Sequence, residues 1–511
     1  MADSQTLNNS PAFECSAYQK QSADLVIVND CYEGTSTIRA RGETYLRKFG
    51  AEDARDYQVR LNSSKFWNAF RRTVHGLVGL IFRKNPVVQD NPPDEVKAQI
   101  ENIDLQGMHL DVFAKERCLR GMIDGHSFIY VDMEQSVLET NPNATLAEEK
   151  AANLRPYWVA VNKSQVRNWR TAKVNGVEMP TQVTIRECLM EDDGDFGEKE
   201  IIQYRVLRPG AWLIYRQMGE NKEWAIYKQG KTSLTYIPLV PFYALQTGFY
   251  QSTPPLLDVA HENLRHYNLQ SGLDRILDLC NVPTPLLKGR PSNQVGTPIA
   301  LGANVIDVST DGDGKFLEPT GAAIEKTQNE IDRCKANIAS LGLLLLSSQP
   351  KVTKTATETT VEYTAETAEL SAIARNLQDC LERCFVINAD YMRTKKSWSV
   401  KVNKDFVKLG IDPQAWQRLQ DDRKNNEITL ETYWKILESA EMLPDDFEAK
   451  KEKAALDALA TNQSTEVERA NITKILTDAG ASIKQAALVA GFTPAQAAML
   501  EQIDSASGMI Q

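Results

Sequence analysis

SSQPKVTKTATETT, Ser347 to Thr360, separates two long amphipathic patterns and is itself too polar to pack. Upstream, Ile324, Ile331, Cys334, Ile338, Leu341 and Leu345 recur at steps of seven, three and four, which sets them along one helical stripe. Downstream, Leu370, Ile373, Leu377, Leu381 and Phe385 repeat the spacing. Pro350 breaks the first helix, and the Thr-rich run carries Lys351 and Lys354 with hardly an apolar residue to anchor it. Long helices around such a loop predict a mechanical part that projects into open space. They do not predict the lining of a substrate pocket.

Composition narrows the classes. At 511 residues the chain has room for about two to four domains or one multi-lobed subunit. With 42% hydrophobic and 25% charged residues it can bury a real core. A net charge of −10 and a pI near 5.3 argue against gripping nucleic acid by bulk positive charge. The start, MADSQTLNNS, lacks a basic and then apolar leader, and runs such as Leu341–Leu346 are far short of a bilayer span, so a soluble, intracellularly made protein is expected. The eight cysteines form no CxxC pair and fall mostly in apolar stripes, where thiols act as small hydrophobes and disulfides are not expected.

Residues 1–30 read as a loose polar arm. Helical periodicity fills Ala51 to Phe82, with Phe66, Phe70, Val74, Leu77 and Ile81 on one face. NPPDEV (Asn91–Val96) starts a helix with prolines in its first turn, and another helix spans Leu110–Met122 before a buried strand, Ser127–Val131. From Tyr157 to Leu245 the period switches to two: Val183–Met190, Ile201–Leu207, Trp212–Gln217 and Glu223–Tyr227 predict a β-rich lobe. Thr253 then caps a helix with Pro254 and Pro255 in its first turn, running to about Cys280. Residues 281–320 are short strands and turns. A β run at Trp398–Val402 leads into helices, Lys450–Ser464 is a linker helix or hinge, and two helices joined near Gly480 and Gly491 finish the chain. The fold class is α+β, mostly helical.

Several motifs tempt and fail. His261 and His266 are five apart, about 140° round a helix, where a shared metal needs i and i+4. Gly230-Lys231-Thr232 echoes a phosphate loop, but Ala225 stands where the first glycine belongs, so a hairpin turn is the reading. Asp311–Gly314 (DGDG) opens like a calcium loop whose twelfth position, Ala322, is no ligand, so a solvated turn is expected. Cys380 and Cys384 read as core packing. Ile483–Leu500 has a helix-turn-helix outline, yet residues 461–511 hold five acids against three bases, which favours a packing hairpin over a groove reader. No nucleophile with a base and no cofactor loop stands out; neither an enzyme nor a cofactor is expected.

The order of parts resembles the portal protein of tailed bacteriophages, and several stretches resemble one portal branch in wording. They include Tyr45-Leu46 with Tyr57 and Arg60-Leu61, FWNAFRRTVHGLVGLIFRKNP (Phe66–Pro86) and GHSFIYVD (Gly125–Asp132). RPYWVAVNKSQVRNW (Arg155–Trp169) and EITLETYWKILESAEMLPDDF (Glu427–Phe447) are others. The likeness covers roughly residues 30–450. It implies a flexible arm (1–30), a wing (31–250 and 393–460), stem helices (251–280 and 321–346) and a clip between them (281–320). A tunnel loop (347–360), a wing spine helix (361–392) and a helical crown (461–511) complete it.

The resemblance further implies a dodecameric ring at the unique capsid vertex of a virion, assembled in the host bacterial cytoplasm. Double-stranded DNA would pass through it during packaging and ejection. Its partners would be further copies of itself, the terminase large subunit, capsid and scaffolding proteins, and later head-completion or tail proteins, with no membrane. Ser348, Gln349, Lys351 and Lys354 would face DNA in the tunnel loop. Asp258, Glu262, Glu325 and Glu330, with Asp274 and Asp278, would give the stem an acidic wall that does not hold phosphate. Lys288, Arg290, Asp311 and Asp313 would dock the motor on the clip. A scaffolding protein without DNA passage, and an enzyme of unrecognised family in the β lobe, are the alternatives.

Overall fold

The computed structural model describes residues 10–50, 52–89, 91–133, 154–219, 221–281, 284–288, 311–317, 321–343, 356–394, 397–404, 406, 413–425, 427–439, 442–443 and 447–507. The chain divides into two compact units, Met1–Phe406 and Val407–Gln511. The α+β, mostly helical class read from the sequence is the class observed.

Where a loose arm is expected, the first unit opens with helix α1 (Ser16–Glu33). Its buried positions Tyr18, Leu25, Val28 and Cys31 are diluted by polar neighbours, so no apolar stripe stands out. Asp30 is buried too, and accepts hydrogen bonds from Arg41 at 2.8 Å and Tyr45 at 2.7 Å, which offset its desolvation. Helix α2 (Thr35–Ala40) follows. The single helical run expected over 51–82 is two helices, α3 (Ala54–Ser63) and α4 (Ala69–Ile81). Asn68 makes the break, its side-chain oxygen accepting from the Arg71 amide at 2.8 Å as an N-cap. Strand β1 (Val87–Val88) precedes α5 (Asp94–Glu101), which begins after Pro93, so both prolines of NPPDEV stand before the helix. Helix α6 (Leu110–Asp124) ends at Gly125 and feeds β2 (His126–Met133).

The β lobe is as the period-two runs predict. Strands β3 (Pro156–Asn162), β4 (Val166–Val174), β5 (Val177–Asp193), β6 (Gly197–Arg208), β7 (Ala211–Met218), β8 (Glu223–Lys231) and β9 (Leu239–Tyr243) form two sheets. One is three-stranded, ordered β3-β2-β9; the other is a five-stranded antiparallel meander, β4 to β8. Phe128, Tyr130, Val183, Ile185, Leu207 and Tyr250 form a core shared by the two. Asn175 and Gly176, both at positive φ, close the first hairpin. The hairpin turn read at Gly230-Lys231-Thr232 is instead the end of β8. Gly230 pairs with Trp212, and a Cβ there would lie 2.6 Å from the indole, so close approach demands glycine.

Short strands β10 (Gln246–Gly248) and β11 (Gln251–Ser252) lead into α7 (Leu257–Asn281). That helix starts later than the sequence suggests, because Pro254 and Pro255 sit in a turn closed by the Leu257 amide on the Pro254 carbonyl. Strands β12 (Thr284–Lys288) and β13 (Asp313–Leu317), helix α8 (Gly321–Ile338) and a π-helical turn (Ala339–Leu343) follow. Helix α9 (Ala356–Tyr391) and β14 (Val400–Lys401), paired with β1, complete the unit. The stripe Leu370, Ile373, Leu377, Leu381 and Phe385 is buried along α9, with Cys380 and Cys384 packed beside it as expected. The core centres on Trp158, whose ring meets Phe113 and Phe385 edge-on and whose indole N–H donates to Asn388 Oδ1 at 3.1 Å.

In the second unit, helices α10 (Pro413–Lys424) and α11 (Leu430–Ser439) precede α12 (Ala449–Asp478), which contains Lys450–Ser464. Gly480 and Gly491, at φ +93° and +89°, end α12 and α13 (Ile483–Val489), and α14 (Pro494–Ser507) closes the helical hairpin.

Gly125 has φ +90°, and a Cβ on it would lie 2.5 Å from Ser252 Oγ and 2.7 Å from the Thr253 carbonyl oxygen. Gly125→Ala should therefore cost on the order of 2–3 kcal/mol. Gly79, exposed within α4 with nothing within 4 Å of its Cβ position, should gain about 0.5–1 kcal/mol as Ala. Thermal or denaturant unfolding of the two variants checks the pair, and equal shifts would contradict it.

Candidate functional site: the α7–α8 hairpin

Helix α7 is fastened to the N-terminal lobe through a stripe of every fourth residue: Asn263, Tyr267, Ser271 and Arg275. Asn263 Oδ1 accepts from the Phe70 amide at 2.9 Å, and its Nδ2 donates to the Trp67 carbonyl at 2.7 Å. Tyr267 packs edge-on against Phe66. Ser271 Oγ receives Arg60 at 3.1 Å and Ser64 Oγ at 2.8 Å, and Arg275 reaches Asp56 at 2.8 Å. Arg60 is itself buried and bidentate on Glu52, and this hydrogen-bonded guanidinium holds the Glu52 carboxyl below its usual range. A search for apolar periodicity passes over this stripe; its signal is a polar repeat at i, i+4.

The hairpin closes on itself. Arg265 pairs with Glu330 at 2.9 Å and Glu262 at 3.5 Å, Arg333 adds to Glu330 at 2.7 Å, and Cys334 Sγ donates to the Glu262 carboxylate and carbonyl, both at 3.1 Å. Burial, then the Glu262 contact, pushes the Cys334 thiol up to about 12. These contacts run antiparallel, as does the β12–β13 ribbon beyond, from Thr284 opposite Leu317 to Lys288 opposite Asp313. Val259, Ala260, Tyr267, Leu273, Ile331, Cys334 and Ile338 are all buried, while Leu277 and Leu341 stay exposed.

Of the expected acidic wall, Asp258 and Glu325 are exposed, as are Asp274 and Asp278, whereas Glu262 and Glu330 are tied to Arg265. Lys288 and Asp313 face each other across the ribbon, and Asp311 lies in the turn before it, all exposed. Arg290, Ser348, Gln349, Lys351 and Lys354 lie outside the described residues. Helix α9 starts at Ala356, so residues 356–360 of the loop expected over 347–360 are helical. Those five residues contain no proline or glycine, so nothing in them stops α9 from extending N-terminally. His261 is exposed and His266 is buried against Trp67, where burial lowers its pKa; no metal-holding cluster occurs among the described residues.

One buried constellation has a catalytic look. Ser252 Oγ lies 2.6 Å from His126 Nδ1 and 3.2 Å from Lys163 Nζ, and burial brings Lys163 down to about 8. All three side chains are buried, and Lys163 also donates to the Asp124 and Ser252 carbonyls at 2.9 and 3.1 Å. The cluster fastens the end of α6 to β11 and gives no substrate access to the hydroxyl.

Residues 255–392, from α7 to the end of α9, match the family described as a domain of unknown function, DUF4055. No curated protein matches the chain. Among solved structures, the chain is similar to one from the neck of an empty GTA particle computed with C6 symmetry (TM-score 0.39, 11% identity, 73% of this chain and 90% of that one). It is also similar to a chain of the virion of a native gene transfer agent particle (TM-score 0.36, 8% identity, 76% and 94%). A third is from the neck of the native particle computed with C12 symmetry (TM-score 0.35, 10% identity, 79% and 98%).

Asn263→Ala would strip the Phe70 amide and Trp67 carbonyl of their partner, at a cost of roughly 2–4 kcal/mol. Leu277→Ala, on the exposed side of the same helix, should stay within about 0.5 kcal/mol of the parent. Denaturant midpoints decide it; a silent Asn263→Ala would show that the stripe does not hold the helix.

Proposed function

We propose that this chain is a portal subunit, one copy in a ring through which double-stranded DNA enters and leaves a phage-type head. The observation that carries the reading is the path of the chain through the hairpin. Helix α7 leaves the lobe, the β12–β13 ribbon turns the chain, α8 returns antiparallel, and α9 re-enters the wing core beside Trp158. That is the stem, clip and spine order of the family the sequence resembles. The clip, residues 281–320, with Lys288, Arg290, Asp311 and Asp313, is the docking place for the packaging motor and later for connector or tail proteins. Energy for translocation comes from that separate motor, and the chain itself is a structural part of the virion.

Two measurements test this. Purified protein at low micromolar concentration should give hollow rings of about a dozen copies in negative stain. Monomers alone at every salt concentration, or solid assemblies without a channel, would overturn the reading. Lys351→Ala with Lys354→Ala should leave rings intact while particles package or retain less DNA, because these cations would sit beside each passing phosphate. Particles filled and held as well as the parent would remove that role from the segment.

A further inference from the structure

The β5–β6 hairpin outruns its sheet. Pairing of β4 with β5 begins at Val166 opposite Ile185, and β6 pairs with β7 only from Gln203 opposite Arg216. From Cys188 opposite Ile202, therefore, two strands continue alone to Asp193 opposite Gly197, an arm of roughly 20 Å at ~3.4 Å per residue. A lone two-stranded ribbon is marginal in water. This one also holds Met190 exposed and, at its tip, a fully exposed Phe196 in the turn Gly194-Asp195-Phe196. Between Glu187 and Glu200 there are seven acids and one base, Lys199. Arg205 and Arg216 from the sheet answer only Glu187 and Glu191, at the base of the arm.

The complement of this tip lies on the same chain. From Arg47 to Arg72 there are seven bases and three acids, in a protein of net charge −10. Two of the acids are spent internally, Glu52 on Arg60 and Asp56 on Arg275. Arg47, Lys48, Arg55, Lys65 and Arg72 are exposed. So are Phe49, Val59 and Trp67, apolar surface of the kind a protruding phenyl ring could cover. The acidic, aromatic arm and the cationic, aromatic stretch are different surfaces of one subunit. That is what a head-to-tail contact requires, and head-to-tail contacts close into rings.

We infer that the β5–β6 arm is a clasp between copies, its tip seated on the Arg47–Arg72 stretch of the next subunit. The inference rests on the ring reading above and specifies where neighbouring wings hold each other. Opposite charges bring the surfaces together and set their register; burial of Phe196 excludes water from the contact.

Charge reversal of the full chain tests it. Asp193→Lys/Asp195→Lys in the arm, or Arg47→Glu/Lys48→Glu in the receiving stretch, should each raise the protein concentration needed for rings at least roughly tenfold. The thermal midpoint measured on unassembled protein should not move, since the altered side chains are exposed. Both sets in one chain should recover most of the assembly, because the charges are again opposite. If the parent is monomeric under all conditions, the ring reading falls and the clasp with it. If the parent forms rings and the arm variant does so at the same concentration, the ring stands and the clasp is wrong, leaving the arm to a different protein. Loss of rings in both single sets without recovery in the combination also overturns the pairing.

Discussion

The polar fastening of α7 is the constraint on which the rest of the hairpin depends. A helix of this length gains little from propensity alone and takes its stability from the face it buries. Here that face includes the amide of Asn263, the hydroxyl of Ser271 and the guanidinium of Arg275, each hydrogen-bonded to a group in or near α3 and α4, with the Tyr267 ring packed edge-on against Phe66 between them. Hydrogen bonds between buried groups are costly to mismatch, so this interface has one register, whereas an apolar stripe tolerates sliding. Because α7 is set in register, Arg265 and the Glu262 carbonyl meet α8 at fixed heights. Helix α8 is thereby placed by α7 and not by the lobe alone.

Burial of the hairpin stripes within one subunit moves the question of assembly elsewhere. Ile331, Cys334 and Ile338 are already covered, and the exposed large hydrophobes among the described residues of the hairpin are Leu277 in α7 and Leu341 in the π-helical turn. Exposed apolar side chains collect instead on the β5–β6 arm and on the last three helices, where Val467, Ile475, Val489 and Met499 stand in solvent. Isolated exposed hydrophobes are ordinary. An unsupported two-stranded arm with a bare phenylalanine at its end is not.

The sequence was most legible where one period ruled a whole segment. The α9 stripe, the last four meander strands (β5 to β8) and the α4 face are all where their spacing puts them. Legibility failed where polar groups do the packing. Helix α1 buries Asp30 against Arg41 and Tyr45, and α7 buries Asn263 and Ser271; neither shows in an apolar pattern. It failed again where one residue sets a boundary through its own hydrogen bond, as Asn68 does between α3 and α4. At the hairpin, the acids were visible as letters, but which of them Arg265 neutralises depends on the register between two helices, and no local pattern encodes that.

That neutralisation alters the electrostatics of the proposed channel. The two hairpin helices carry seven acids and five bases, and Glu262 and Glu330 share Arg265, so their faces are only mildly negative. DNA in a conduit is held back chiefly by cations that exchange counterions for phosphate contacts. Arg265 and Arg333 cannot serve that way while their guanidinium groups are engaged by Glu330. The remaining exposed acids, such as Asp258 and Glu325, repel phosphate only within a screening length of about 8 Å at physiological salt. In the proposed channel a wall of this kind would ease passage less by repulsion than by keeping Arg265, Arg275 and Arg333 occupied.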